Sequence, residues 1–204
     1  MARKLGPKHK LCRRVGERLC NTDKCPVTRR AYPPGMHGQS RTRSKLTPFG
    51  IQLREKQKAK SVYGLLERQF KNYVLRAMKS KGNTADTLSA MLEKRLDNVI
   101  FRAGFVKTRA QARQLVGHGH FLVNNKKVNI PSFQVRVGDL VLPKPVSLTG
   151  GPLKDLALKL EQYEAPSWLL INKTNFEIKI LEAPKAEELQ LMFDPKMIVE
   201  FYSR

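Results

Sequence analysis

Between Leu88 and Leu142 the apolar residues change from helical spacing to alternation, and this restricts the fold more than any other feature of the chain. Leu88, Leu92, Leu96, Val99, Ile100 and Ala103 recur at the three- and four-residue intervals of one helix face, with Gly104 placed to end it. Thr108-Arg109-Ala110-Gln111 has the capping-box pattern and predicts a second helix. That helix carries Ala112, Leu115 and Val116 inward and Arg109, Arg113 and Gln114 outward, and Gly117 and Gly119 stop it. Phe121-Leu122-Val123 and Lys127-Val128 read as short strands, because Asn124-Asn125 tolerates the positive φ angles of a tight hairpin. Val135, Val137, Leu140 and Leu142 supply further strand material around a Gly138-Asp139 turn. The fold class is α+β: two crossing helices backed by a small sheet, with cations on the outer helical face.

Charge bounds the partner. With 39 Lys and Arg against 17 Asp and Glu the net charge is +22, a self-repulsion that a bound polyanion offsets. Nucleic acid is the first candidate and anionic membrane the second. No apolar run approaches the ~20 residues that span a bilayer, and the N-terminus lacks an apolar leader, so we expect no membrane association and a cytoplasmic protein. The cations are concentrated at one end. Residues 1–60 hold 17 Lys or Arg and 3 Asp or Glu (net +14), whereas residues 157–204 hold 6 and 8 (net −2). The N-terminal part therefore meets the polyanion.

Residues 1–46 show little helical period and much Arg, Lys, Gly and Pro, and we expect a basic extension without a core of its own. Within it His9, Cys12, Cys20 and Cys25 fall as H-x2-C-x7-C-x4-C. Thiolates plus imidazole in a coreless stretch suit tetrahedral zinc, which would supply folding energy that packing cannot. The other reading is three reduced thiols and an incidental histidine, and His37 rivals His9 as fourth ligand. Thr47-Pro48 then opens a helix running to about Lys60, with Arg54, Lys56 and Lys58 on it and Gly64 as its breaker. Leu65, Leu66, Phe70, Tyr73, Val74, Ala77 and Met78 form the stripe of the next helix, with Arg68, Lys71, Arg76 and Lys79 facing away.

After the hairpin, Gly150-Gly151-Pro152 lacks the Gly-Lys-Ser/Thr ending of a phosphate loop and reads as the start of a helix that packs Leu153, Leu156, Ala157 and Leu160. Trp168 to Ile171 reads as a buried strand with Trp168 in the core, and Phe176, Ile178 and Ile180 alternate as a half-exposed one. Residues 185–193 suit a short acidic helix, and residues 198–201 a final strand or docked extended tail. The domain organisation we expect is a basic extension over 1–46 and a helical domain over 47–92 joined by the tail 185–204. An RNA-binding domain with added β structure covers 93–184, its core module being 93–146.

Arg95-Leu96-Asp97, Gly104, Thr108-Arg109, Ala112, Gly119, Val123-Asn124, Pro131-Ser132 and Gly138-Asp139 resemble the S-four RNA-binding domain (αL-type) in order and spacing. Tyr32-Pro33-Pro34-Gly35 with His37-Gly38, residues 52–58, and the terminal residues 199–204 extend the likeness to the whole chain. It resembles the family of bacterial-type small-subunit ribosomal protein four. Gly117 departs from the family where a basic residue is common, and Asn125 where Gly is usual. The resemblance implies direct, early binding of small-subunit ribosomal RNA at a multi-helix junction. It also implies contacts with small-subunit proteins five and three, a place beside the channel through which messenger RNA enters, and a part in decoding accuracy. Some members carry a four-cysteine zinc site whose last three positions match Cys12, Cys20 and Cys25, with His9 at the first; the setting of His37 recurs in members with and without those cysteines.

Duplex RNA hides its base edges in a deep, narrow groove, so a protein reads its shape through phosphates and 2′-hydroxyls. That needs rigidly held Arg, Lys and short polar donors. Lys107, Thr108 and Arg109 at a helix N-terminus, then Arg113, Gln114 and His118, form the predicted face. Lys126 and Lys127 on the hairpin and Arg95 and Arg102 on the first helix flank it, although Arg95 is equally placed to pair with Asp97. Arg54, Lys56 and Lys58, and Arg13, Arg14, Arg29, Arg30 and His37, are the candidate contacts of the basic N-terminal part. Two rivals use the same chemistry. An RNA-modifying enzyme would carry this domain as an appendage to a catalytic one; no catalytic motif stands here, so we expect neither catalysis nor a small-molecule substrate. A free messenger-binding translational regulator would differ in not sedimenting with ribosomal subunits.

Overall fold

The basic N-terminal segment is not extended throughout: Lys8–Val15 forms a helix (α1), which Gly16 ends at φ +84° by returning its N–H to Cys12 O at 2.8 Å. The computed structural model describes residues 6–20, 22–39, 46–149, 151–161, 163–185 and 188–203. The rest of the expected extension (1–5, 21, 40–45), Gly150, residues 186 and 187 of the expected acidic helix, and Arg204 lie outside the described residues. The chain divides into two units, residues 1–89 with 190–204 and residues 90–189.

In the first unit, Thr47 caps Pro48–Val62 (α2) as its sequence predicts, its Oγ1 accepting from Gly50 N at 3.2 Å. Glu67–Lys79 (α3) buries the predicted stripe of Phe70, Tyr73, Val74 and Ala77. The chain passes into the second unit within Thr84–Glu93 (α4). The single helix expected from Leu88 to Ala103 is broken: α4 ends at Glu93 and a new helix runs over Leu96–Arg102 (α5). Backbone pairing causes the break. Arg95 is extended and bridges Gln134, while Val135 N donates to Lys94 O (3.0 Å) and Leu96 N to Phe133 O (2.9 Å).

Thr108 Oγ1 accepts from Gln111 N at 3.2 Å and starts Arg109–Gly117 (α6). The sheet follows as Phe121–Val123 (β1), Lys126–Lys127 (β2) and Leu140–Pro143 (β3). Asn124 and Asn125 take φ of 48° and 63°, the tight turn their type predicts. Val135 and Val137 lie outside any strand. Short helices Pro145–Thr149 (α7) and Leu156–Glu161 (α8) precede Leu169–Asn172 (β4) and Glu177–Ile180 (β5), in antiparallel order β2-β1-β3-β5-β4. The helix expected from Pro152 thus begins only at Leu156 and leaves Ala157 exposed. Trp168 is core as expected, just before β4, but Leu170 within β4 is exposed.

Leu96, Ile100, Phe105, Phe121, Trp168 and Ile178 share one buried core in this unit. Each such side chain contributes ~1.5–3 kcal/mol by leaving water, which opposes the repulsion of the charged surface. Gly104 ends α5 at φ +74°, and a Cβ there would stand 2.5 Å from the ring of Tyr163, whose hydroxyl donates to Arg102 O at 2.8 Å. Only glycine fits.

The tail is a helix, Pro195–Ser203 (α9), where the sequence suggested a strand or extended tail; among the described residues of 185–193 only Glu188 is helical, in a 3-10 turn whose N–H reaches Lys185 O at 3.2 Å. Polar contacts to α2 and α3 fix α9: Gln52 Nε2 donates to Glu200 (2.9 Å), Asp194 N to Glu55 (2.9 Å) and Tyr202 Oη to Glu67 (2.6 Å). Glu67 also receives Lys56 (3.0 Å) and Lys60 (2.6 Å). Burial alone would raise the Glu67 pKa, but the hydrogen bonds from Lys60, Tyr202 and Lys56 outweigh it and hold it at about 2. A depressed carboxylate stabilises the fold above its ordinary pKa of 4.5 and loses that contribution as pH falls toward about 2. Acid titration of wild-type stability is expected to fall across that window, and Glu67→Gln to flatten the fall; parallel curves would remove Glu67 as its cause.

Candidate nucleic-acid interface

Two carboxylates on and before α5 organise four arginines. Asp97, 3% exposed, accepts Arg95 in a fork (Nε to Oδ1 3.0 Å, Nη2 to Oδ2 2.8 Å) and Arg113 through Nε (3.1 Å) and Nη2 (2.9 Å). Glu93, fully buried, accepts Arg102 at 2.9 and 3.0 Å and Asn98 Nδ2 at 2.7 Å. The Asn98 oxygen in turn accepts Arg109 Nε at 2.7 Å, and the Arg109 guanidinium lies 4.3 Å over the Phe101 ring. Two acids against four guanidiniums leave a net positive surface whose cations cannot swing freely. The order α5-turn-α6 makes this possible, since residues 97 and 98 meet residues 109 and 113 across the crossing of the two helices.

This corrects the simple picture of outward Arg109 and Arg113. Both are half-buried and engaged at their inner edges, and Arg95 is buried, a support beneath the surface. Lys107, Gln114, His118, Lys126 and Lys127 are exposed, Thr108 caps α6, and Arg102 is half-buried. In the first unit Lys56 and Lys58 are buried in ion pairs with Glu67, and with Glu17 (2.7 Å) and Glu55 (2.9 Å), so they too leave the surface set; Arg54 is half-buried. A long polar helix hides this from sequence, because Glu67 and Glu17 come from outside it and only Glu55 lies on it. Arg14, Arg29, Arg30 and His37 are exposed, and Arg13 stacks 4.8 Å over Tyr32 while donating to its carbonyl (3.2 Å).

His9, Cys12, Cys20 and Cys25 come together, their donor atoms all within 4.8 Å of one another, and His37 is not a member of that group. Nδ1 of His9 is buried and has no hydrogen-bond partner among the described residues. Burial pushes the Cys12 thiol up to about 11; Cys20 feels burial too, but hydrogen bonds from Thr22, Cys25 and Cys12 bring it to about 6. One nitrogen and three sulfurs, with an orphaned imidazole atom inside the cluster, fit a tetrahedral metal.

Sequence reasoning missed His120, Lys144 and Ser147. They lie far apart in the chain and meet because β1 pairs with β3 in the register Phe121↔Pro143, which brings Lys144 N to His120 O at 2.9 Å. The His-Gly-His spacing of 118–120 was the one local signal.

Residues 3–93 match the family described as the ribosomal protein S4/S9 N-terminal domain, and residues 94–141 match the S4 domain. Over 210 aligned positions covering the whole of both chains, the protein is 45% identical to small ribosomal subunit protein uS4 of Natranaerobius thermophilus. It is 47% identical to the proteins of that name from Thermodesulfovibrio yellowstonii and Halothermothrix orenii over the same span. The chain belongs to the ribosomal protein S4 family. The α5–α6 arginine surface lies within its S4 domain, and the His9–Cys25 cluster within the N-terminal S4/S9 segment.

Proposed function

We propose that this S4-family chain is a non-catalytic structural protein of the small ribosomal subunit, working in the cytoplasm by binding small-subunit ribosomal RNA. The observation that carries this reading is the end-to-end identity of 45–47% with proteins named as small-subunit components. The net charge of +22 and the pinned arginines supply the physical means. Guanidiniums already held in place lose little freedom on meeting phosphates, so the surface selects an RNA whose backbone spacing matches it. Lys107, Gln114 and Lys126 extend that surface with exposed donors, and Arg14, Arg29, Arg30 and His37 contribute from the N-terminal part. Arg95 acts from beneath.

In the finer form of this proposal the chain binds early at a multi-helix junction and nucleates assembly. There it contacts small-subunit proteins five and three beside the messenger-RNA channel and contributes to decoding accuracy. Zinc, held by His9, Cys12, Cys20 and Cys25, would cross-link the N-terminal segment, a structural role with no chemistry at the RNA.

Tagged full-length protein is expected to sediment with small subunits, and its absence from them would overturn the reading. With an rRNA fragment, Lys107→Ala with Lys126→Ala is expected to lower the slope of log affinity against log salt by roughly two phosphate contacts, each ~0.7–0.9.

A further inference from the structure

A cleft of about 530 Å³ opens where the end of α6, the start of β1 and α7 meet, lined by His118, His120, Lys144 and Ser147 and carrying no carboxylate among its described lining residues. His118 and His120 stack with ring centroids 6.2 Å apart, and Lys144, just after β3, joins the lining with its N–H on the His120 carbonyl. Ser147, buried, meets His120 Nδ1 through its Oγ at 2.8 Å, which holds the ring in place; in the tautomer where the hydroxyl donates, Nε2 carries the proton. A second ammonium borders the site. The stem of Lys127 lies over Gly119, where a Cβ would stand 2.5 Å from its Cε. Gly151 closes the far side against the Ser147 backbone so tightly that a Cβ would come within 2.7 Å of it. Glycine at 119 and 151 is thus what lets basic side chains and backbone converge on one space.

The geometry points to this cleft as a phosphate-binding site that takes a single phosphodiester of RNA, separate from the α5–α6 arginines. It rests on the ribosomal-RNA reading above for the source of that phosphate. An oxyanion in the cleft would balance the ammonium charge of Lys144 and accept from ammonium and imidazole N–H donors. The setting acts on His120: burial first, then the charges of His118 and Lys144, push its imidazole below the ordinary range. Val146 in the lining is 79% exposed, so the cleft opens to solvent.

Two measurements on the full chain test it. Inorganic phosphate, added at constant pH and ionic strength, is expected to move the ring resonances of His118 and His120 saturably toward their protonated positions. Movement no larger than with chloride would overturn the site. With an rRNA fragment, His118→Gln with Lys144→Gln is expected to reduce the salt slope by ~0.7–0.9, one phosphate, while the folded signal is kept. A wild-type slope in that folded variant would overturn it as well. Should wild-type protein bind no rRNA at all, the ribosomal reading falls, and the phosphate titration still decides the cleft on its own.

Discussion

Cys25→Ser, or exposure to a strong chelator, is expected to unfold residues 8–29 while leaving the 90–189 unit intact. The packing around α1 is thin: Cys12, Leu19 and Cys25 are its fully buried residues, bordered by Leu11, Val15, Val27 and Val62. Two of those three are themselves proposed ligands, so the metal and the core are nearly the same object. Structural zinc in small coreless modules contributes apparent energies of ~10–16 kcal/mol near pH 7, far more than this apolar cluster. By contrast the second unit has a broad core from Leu96 to Ile180 that involves no thiol. Amide exchange should therefore show lost protection in α1 and the following turns and unchanged protection in α5, α6 and the sheet. His9→Cys is expected to retain metal, since it keeps a ligand in place, whereas Cys25→Ser removes one. Metal analysis of reduced, purified wild-type protein should give about one zinc per chain. A content near zero would end the proposal.

What the sequence disclosed, and what it hid, follow one physical division. Local rules were readable: Thr47 and Thr108 as caps, Asn124-Asn125 as the turn, Gly104 as a helix stop, and the Phe70–Ala77 stripe all depend on neighbours within a few residues. The donor set of His9 with three cysteines was readable too, because ligand chemistry is written in residue type. Helix α9 was misread as a strand or extended tail because its apolar run 198–201 is too short for a period, and its helical state depends on α2 and α3 through Glu55, Gln52 and Glu67. The break at residues 94–95 was invisible for the same reason, since a strand-like pairing with Gln134 competes there with helical hydrogen bonds. Charge identity was legible and charge availability was not. Lys56 and Lys58 look from sequence like Lys107 or Lys126, and Glu67 and Glu17 from other segments help to take them out of solvent, whereas the pairing of Arg95 with Asp97, two residues away, was open to the sequence.

Asp97→Ala is expected to cost ~3–5 kcal/mol of unfolding free energy, the range for breaking a buried pair by removing one partner. The reason lies in Arg95. Its guanidinium is buried and forks onto both Asp97 oxygens, so truncation leaves a desolvated charge with its principal acceptor gone. Arg113, half-buried, can turn toward water, so Arg113→Ala should cost much less. Pairing Asp97→Leu with Arg95→Met should recover most of the loss, because apolar residues of similar size replace the buried charges together. Denaturant unfolding of the three variants separates these cases, and equal losses in all of them would show that Asp97 matters only for its own packing. The same residue distinguishes two accounts of RNA binding. If the surface attracted RNA by net charge alone, removing an acid would tighten binding. If Asp97 works by holding Arg113 at a fixed place, the variant binds the rRNA fragment more weakly despite its extra positive charge, and under conditions where it remains folded. Weaker binding is the expected result, and tighter binding would leave the arginine surface a diffuse attractor whose pinned geometry has no part in recognition.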